Sequence, residues 1–335
     1  MKQIDGDMQE NRLAASYRVL KSVAGKLQRF SASRIGLATQ IAVSVLLLLW
    51  LASALDARTW TAIRELGVQS LLLVTLVFST SQIFSGLRLA CLLHKPRPWR
   101  LAIVSTFAGF FWSTFLPGTV GGDVVRIAKL RAAHVELTRA TGAIFFDRLL
   151  NTLGVATILA VASAGLIAGW ALNNASLFLV ILLLAIAALA AAIWAVRSLS
   201  RRQLPEFLSS FLAPIRQLLA ERTLLLAVGL LTLCNIGASI VAQGLLSNLL
   251  DMGVSFLTLT SIICLVTIAT MLPISLNGIG LQEVSFVYLL TSAGATPEKA
   301  IVFSLLVRAI IMGTSLIAGL AIVLNRAFAA EPETK

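Results

Sequence analysis

Two acids in this chain each precede an arginine by 25 positions, Asp123 before Arg148 and Glu283 before Arg308, and all four charges fall in strongly apolar surroundings. Each acid also follows a proline–glycine break. The first reads Leu116-Pro117-Gly118-Thr119-Val120-Gly121-Gly122-Asp123. The second runs from Leu272-Pro273 through Asn277-Gly278-Ile279-Gly280 to Glu283. A shift of 160 positions lays Asp123 on Glu283, Arg139 on Lys299, Ala140 on Ala300 and Arg148 on Arg308. The two Leu-Pro pairs align at 156, so the second loop is four residues longer. A charge near mid-bilayer costs roughly 2.5–3.5 kcal/mol on insertion scales, so charges repeated in register imply a purpose. The pattern predicts a duplicated membrane protein with a polar site at its centre.

Hydrophobic residues fill 58% of the 335 positions and charged residues only 13%, too few to cover a soluble protein of this size. Apolar runs near the roughly 20 residues needed to span a bilayer lie at 35–54, 67–93, 140–170, 175–196, 223–250 and 297–324. Two shorter runs, 101–116 and 256–272, end in the breaks. The net charge of +12 does not mark a nucleic-acid binder, because no aromatic-studded basic domain carries it. Seven of the 27 Lys and Arg residues precede the first span and five lie in 197–222, as expected of cytoplasmic segments. No cleavable signal pattern precedes the first run. Cys91, Cys234 and Cys264 stand singly in apolar stretches, and His94 and His134 in polar loops, so neither type suggests a metal centre.

Charge distribution sets the expected topology. With the N-terminus inside, a full crossing by 101–116 would strand Arg126, Lys129, Arg131 and Arg139 outside. A hairpin that turns at 117–122 and returns keeps them inside. Applied along the chain, this places 21 Lys and Arg in the cytoplasm, three outside (Arg58, Arg64, Lys299) and three in spans (Arg88, Arg148, Arg308). Each half then holds three spans and one re-entrant hairpin. An odd number of crossings inverts the second half relative to the first, the architecture of many secondary transporters. The expected fold is an all-α, polytopic inner-membrane protein with both termini cytoplasmic. Its domains are a basic amphipathic segment at 1–34, a transmembrane domain at 35–325 (repeats near 35–170 and 175–325) and a tail at 326–335. Residues 1–34 and 204–222 read equally as amphipathic helices on the cytoplasmic leaflet or as basic tails.

Arg148 and Arg308 are the leading candidates for substrate contact, because a guanidinium presents a planar fork that matches a phosphate. Each could instead pair with Asp123, Asp147 or Glu283 and lock helices, or lie shallow enough to reach the interface. Asp123 and Glu283 either cap the helices that follow, position the arginines, or carry protons. Gly121, Gly122, Gly278 and Gly280 permit turns and close approach, and could offer backbone N–H groups to an anion. Gln82 and Arg88 on one span, and Asn235 and Gln243 on another, could line a headgroup path or hold helices together. No G-x-x-x-x-G-K-[ST], HExxH or Ser/His/Asp set is present, so neither ATP-driven flipping nor hydrolysis is expected of this sequence.

The runs Leu116-Pro117-Gly118…Gly121-Gly122-Asp123-Val124-Val125-Arg126, Asp147-Arg148-Leu149-Leu150, and Leu272-Pro273…Asn277-Gly278-Ile279-Gly280-Leu281-Gln282-Glu283 with Arg308 resemble a known membrane domain. It is that of lysylphosphatidylglycerol synthases and their stand-alone flippase-like relatives, over roughly residues 35–325. The resemblance implies movement of a lipid, such as an aminoacylated phospholipid or a polyprenyl-linked sugar, between leaflets. Bifunctional members add a large soluble C-terminal transferase domain, whereas this sequence ends about ten residues past its last apolar run, so lysyl transfer is not expected of it. The expected activity is translocation of an anionic or phosphate-linked lipid, without catalytic residues, cofactor or metal. The alternatives are a membrane-embedded transferase, or a non-transporting subunit of a cell-envelope lipid or glycan synthesis complex. Expected partners are membrane lipids and, in the latter case, envelope-synthesis enzymes; nucleic acid is not among them.

Overall fold

A computed structural model of the chain describes residues 66–93, 98–114, 121–163, 206–271 and 276–324. The expected spans at 35–54 and 175–196, and the segment 1–34, lie outside them. The described residues form nine α-helices and no strand. In chain order they are α1 (Val68–Leu92), α2 (Trp99–Ser113), α3 (Gly121–Ala132), α4 (Leu137–Ser163), α5 (Glu206–Ala220), α6 (Arg222–Leu249), α7 (Phe256–Thr270), α8 (Leu281–Ser292) and α9 (Pro297–Leu324).

Four of these, α1, α4, α6 and α9, are long and apolar enough to cross a membrane. Their solvent-side chemistry is inverted relative to a soluble bundle. On α6, Leu226, Leu230 and Leu233 point outward while Leu224, Val228, Thr232 and Ile236 are buried. On α1, Leu72, Leu73 and Leu76 are exposed and Arg88 is buried. A helix that turns leucines outward and an arginine inward suits a hydrocarbon solvent. The protein is a multi-pass membrane protein. Helix α9 is the most enclosed span, with 56% of its apolar window buried against 22–28% in the other three.

The helices α2 and α7 have 15 residues each, about 22 Å at 1.5 Å per residue, too short for a core of about 30 Å. Each ends at its break, and the chain then doubles back. In the first hairpin Gly109 of α2 abuts Gly122 of α3, and Thr106 Oγ1 accepts from Arg126 at 3.4 Å, so contacts step back along α2 as they step forward along α3. That closeness requires glycine, since a Cβ on Gly122 would land on the Gly109 carbonyl oxygen. In the second hairpin Gly278 lies against Thr270, and α7 packs on α8. Helix α1 packs along α6 and against α2, and α9 packs against both α2 and α8. The order of long helix, hairpin, long helix thus occurs twice, as α1, α2–α3, α4 and as α6, α7–α8, α9.

Two apolar cores support this frame. The larger joins α1, α4, α6, α7, α8 and α9 around Leu246, Leu290 and Phe303. The smaller joins α1, α3, α4 and α5 around Leu89, Leu130 and Leu218. Residues 204–222 resolve one open question, because α5 docks on protein. Its Phe211 packs with Phe145 and Phe146 of α4, ring centroids 5.6 and 5.9 Å away, and Gly142 lets the two backbones meet.

Candidate functional site

Helix α3 begins at Gly121 and carries Asp123 in its first turn. That carboxylate takes the Nε–H of Arg148 on α4 and lies 3.6 Å from Arg126, one turn further along α3. Arg126 reaches on to Asp147 at 2.9 Å, and the second oxygen of Asp147 accepts from Arg88 Nε at 2.7 Å. The result is one alternating chain of charges, Arg148–Asp123–Arg126–Asp147–Arg88, that ties α1, α3 and α4 together. Arg88 and Asp147 are almost wholly buried, and Arg88 has further contacts at 3.4 Å to Asn151 and Thr232. A buried guanidinium so surrounded is held rigidly.

The second hairpin repeats the acid–arginine pair with different accessories. Asn277, Gly278 and Gly280 have φ of 48°, 74° and 83°, left-handed conformations that suit Asn and Gly and set the loop's reversal. Gly280 donates its backbone N–H to Glu283 at 2.7 Å, closing a helix cap. The other Glu283 oxygen takes Arg308 Nε, and Arg308 Nη2 donates to the Gly278 carbonyl at 2.9 Å. Glu283 therefore caps α8 and positions an arginine at once. Arg148 and Arg308 are each the twelfth residue of their helix, about 17 Å along it, well inside a membrane span rather than at its end.

Residues beside both breaks, Gly122 and Asp123 from the first and Asn277 and Gln282 from the second, face a cavity of about 300 Å³. Gln82, Gly122, Asp123, Arg126, Arg148, Asn277, Gln282 and Arg308 line it, so both predicted arginines meet at one space. Four guanidinium groups (Arg88, Arg126, Arg148, Arg308) stand against three carboxylates (Asp123, Asp147, Glu283), leaving one positive charge over in this cluster. Two buried donors on the lining, Arg126 Nε and Gln282 Nε2, have no hydrogen-bond partner among the described residues. Buried donors are normally satisfied, so an unmatched pair beside surplus positive charge suits an anion. The Arg148 side chain is 47% exposed, and Arg308's only 11%.

The other candidates divide. Gly278, Gly280 and Glu283 shape the second tip without lining the cavity, and Gly121 starts α3 beside it. Asn235 lines two neighbouring cavities and donates to Asn151 at 2.8 Å. Arg88 touches one of those but is tied to Asp147. Gln243 is buried against Ser239 and borders none of the three. Sequence reasoning missed Arg126, which was grouped with the loop charges at the cytoplasmic face. It is 8% exposed and bonded to two buried acids. The available signal was its position, three residues after Asp123 on the same helix face.

The family model for the lysylphosphatidylglycerol synthase TM region matches residues 37–319, which include both acid–arginine pairs and both breaks. The chain belongs to this family. No curated protein matches it. Membership in the lysylphosphatidylglycerol synthase TM family agrees with the exposed leucines and buried charges described above, and places the protein among membrane proteins connected with lipids.

Proposed function

We propose that this protein moves a phosphate-bearing anionic lipid between the leaflets of the inner membrane. Its two halves act as inverted repeats whose hairpins enter from opposite faces, and the headgroup passes through the cavity at their tips. The observation that carries this reading is the convergence of Arg148 and Arg308, with surplus positive charge and unmatched donors, on one cavity inside a lipid-facing bundle. A phosphate drawn toward mid-bilayer needs such partners, because desolvating it bare is prohibitive. Arg148 and Arg308 would grip the headgroup from the two halves, Asp123 and Glu283 would hold those arginines ready, and Gly122 would let the first hairpin close. Rocking of one half against the other would open the cavity to each leaflet in turn.

Reconstitution into liposomes with a fluorescent phospholipid, followed by quenching from outside, tests the proposal. Wild-type protein accelerates exchange between leaflets, and Arg148→Met/Arg308→Met abolishes the acceleration while remaining folded. Equal rates for the two would leave the scaffold reading, in which the arginines only brace helices.

A further inference from the structure

The arginine cavity is one of three that interlock. A second, of about 330 Å³, shares Gln82, Arg126 and Arg148 with it. A third, of about 170 Å³, shares Gln82, Asn151 and Asn235 with the second. The walls change character along this series. Arginines and aspartates line the first two, whereas the third mixes amides and hydroxyls, among them Asn235, Ser239 and Thr267, with apolar side chains such as Phe78 and Ile263, and has neither carboxylate nor cation among the described residues.

The third cavity offers acceptors. Thr267 Oγ1 donates to the Ile263 carbonyl at 2.7 Å and Ser81 Oγ to the Phe78 carbonyl at 2.7 Å, so their protons are committed to their own helices. Thr267 Oγ1 keeps lone-pair capacity for a ligand's O–H, and Ser81 Oγ, which already accepts from Gln82 Nε2 at 3.4 Å, keeps one lone pair more. A ligand ammonium would fare differently. Among the described residues it would meet no carboxylate there, and the acids nearby are already bonded to arginine: Asp123 to Arg148, Asp147 to Arg88 and Arg126, Glu283 to Arg308. The surplus positive charge next door would repel it.

We infer that the site takes a phosphodiester lipid whose phosphate carries a neutral hydroxylated group, glycerol or sugar, and discriminates against one carrying a cationic aminoacyl group. The phosphate occupies the arginine cavity, and the hydroxyls extend past Gln82 toward Asn235. This inference rests on the translocation reading and narrows its substrate class. Selection works by matched hydrogen bonds for the favoured headgroup and by unpaired, like-charge contact for the other.

The test presents the full-length protein with equimolar phosphatidylglycerol, lysyl-phosphatidylglycerol and phosphatidic acid, and counts retained lipids by native mass spectrometry. Wild type retains phosphatidylglycerol over each of the others by about tenfold, the worth of one or two buried hydrogen bonds. Asn235→Leu removes its advantage over phosphatidic acid. Asn235→Asp, which installs a carboxylate in the third cavity, raises retention of the lysyl lipid, a gain that misfolding cannot mimic. Equal or stronger retention of the lysyl lipid by wild type, or Asn235 variants that leave the ranking intact, overturns the inference. Arg148→Met/Arg308→Met separates the two claims. Loss of all three lipids supports the phosphate site whatever their ranking, and undiminished retention of all three overturns it.

Discussion

Replacing Asp147 with alanine should cost more stability than any other single change in the charge cluster. Its two oxygens serve Arg88 at 2.7 Å and Arg126 at 2.9 Å, and its side chain is only 4% exposed. After the substitution Arg88, 1% exposed, would retain among the described residues only Asn151 and Thr232 at 3.4 Å, the outer edge of hydrogen bonding. Breaking a buried pair by removing one partner leaves an uncompensated charge and costs about 3–5 kcal/mol. Arg126 is better placed, since Asp123 at 3.6 Å and Thr106 at 3.4 Å remain. The double variant Asp147→Ala/Arg88→Met therefore removes the orphaned charge and should cost only about 1.5–3 kcal/mol, the loss of one charged hydrogen bond to Arg126. Equilibrium unfolding in mixed detergent micelles, read by tryptophan fluorescence, measures both. A single variant that loses less than about 1 kcal/mol, or a double variant as unstable as the single one, would refute the claim that Asp147 exists to neutralise Arg88.

The glycine contacts give sharper contrasts. Gly122→Ala places a methyl on the Gly109 carbonyl oxygen and should cost about 1–3 kcal/mol in the same unfolding assay. Gly229→Ala, on α6 with open space around it, should be neutral or stabilising by up to about 1 kcal/mol. Gly280→Ala forces a side chain into φ 83° and should cost about 1–2 kcal/mol. Because Gly280 anchors Glu283, that variant should also slow liposome translocation, and an unchanged rate would show that the cap does not position Arg308.

Four of the expected spans were legible because lipid demands long apolar runs. Register singled out the two acids and two arginines but left their roles open; Arg148 bonds to Asp123 and Arg308 to Glu283. What the sequence concealed depends on contacts between distant segments. Arg126 reads as one more cytoplasmic positive charge until α3 folds back on α2 and turns it onto Asp147. Asp147 reads as a neighbour of Arg148, yet the two diverge, one to the buried Arg88 and the other to the cavity. Gln243 shares a helix face with Asn235, but α6 is long enough that only Asn235 comes level with the cavities. Residues 204–222 had the right periodicity for a helix, and periodicity does not distinguish a lipid surface from Phe145 and Phe146 as the covering partner.

The most direct test is electron cryomicroscopy of the protein in nanodiscs containing phosphatidylglycerol. A phosphate within hydrogen-bond reach of both Arg148 and Arg308, with Arg126 Nε or Gln282 Nε2 newly paired, is the predicted result. Headgroup density confined to the lipid-facing leucines, with only water between the two arginines, would contradict it.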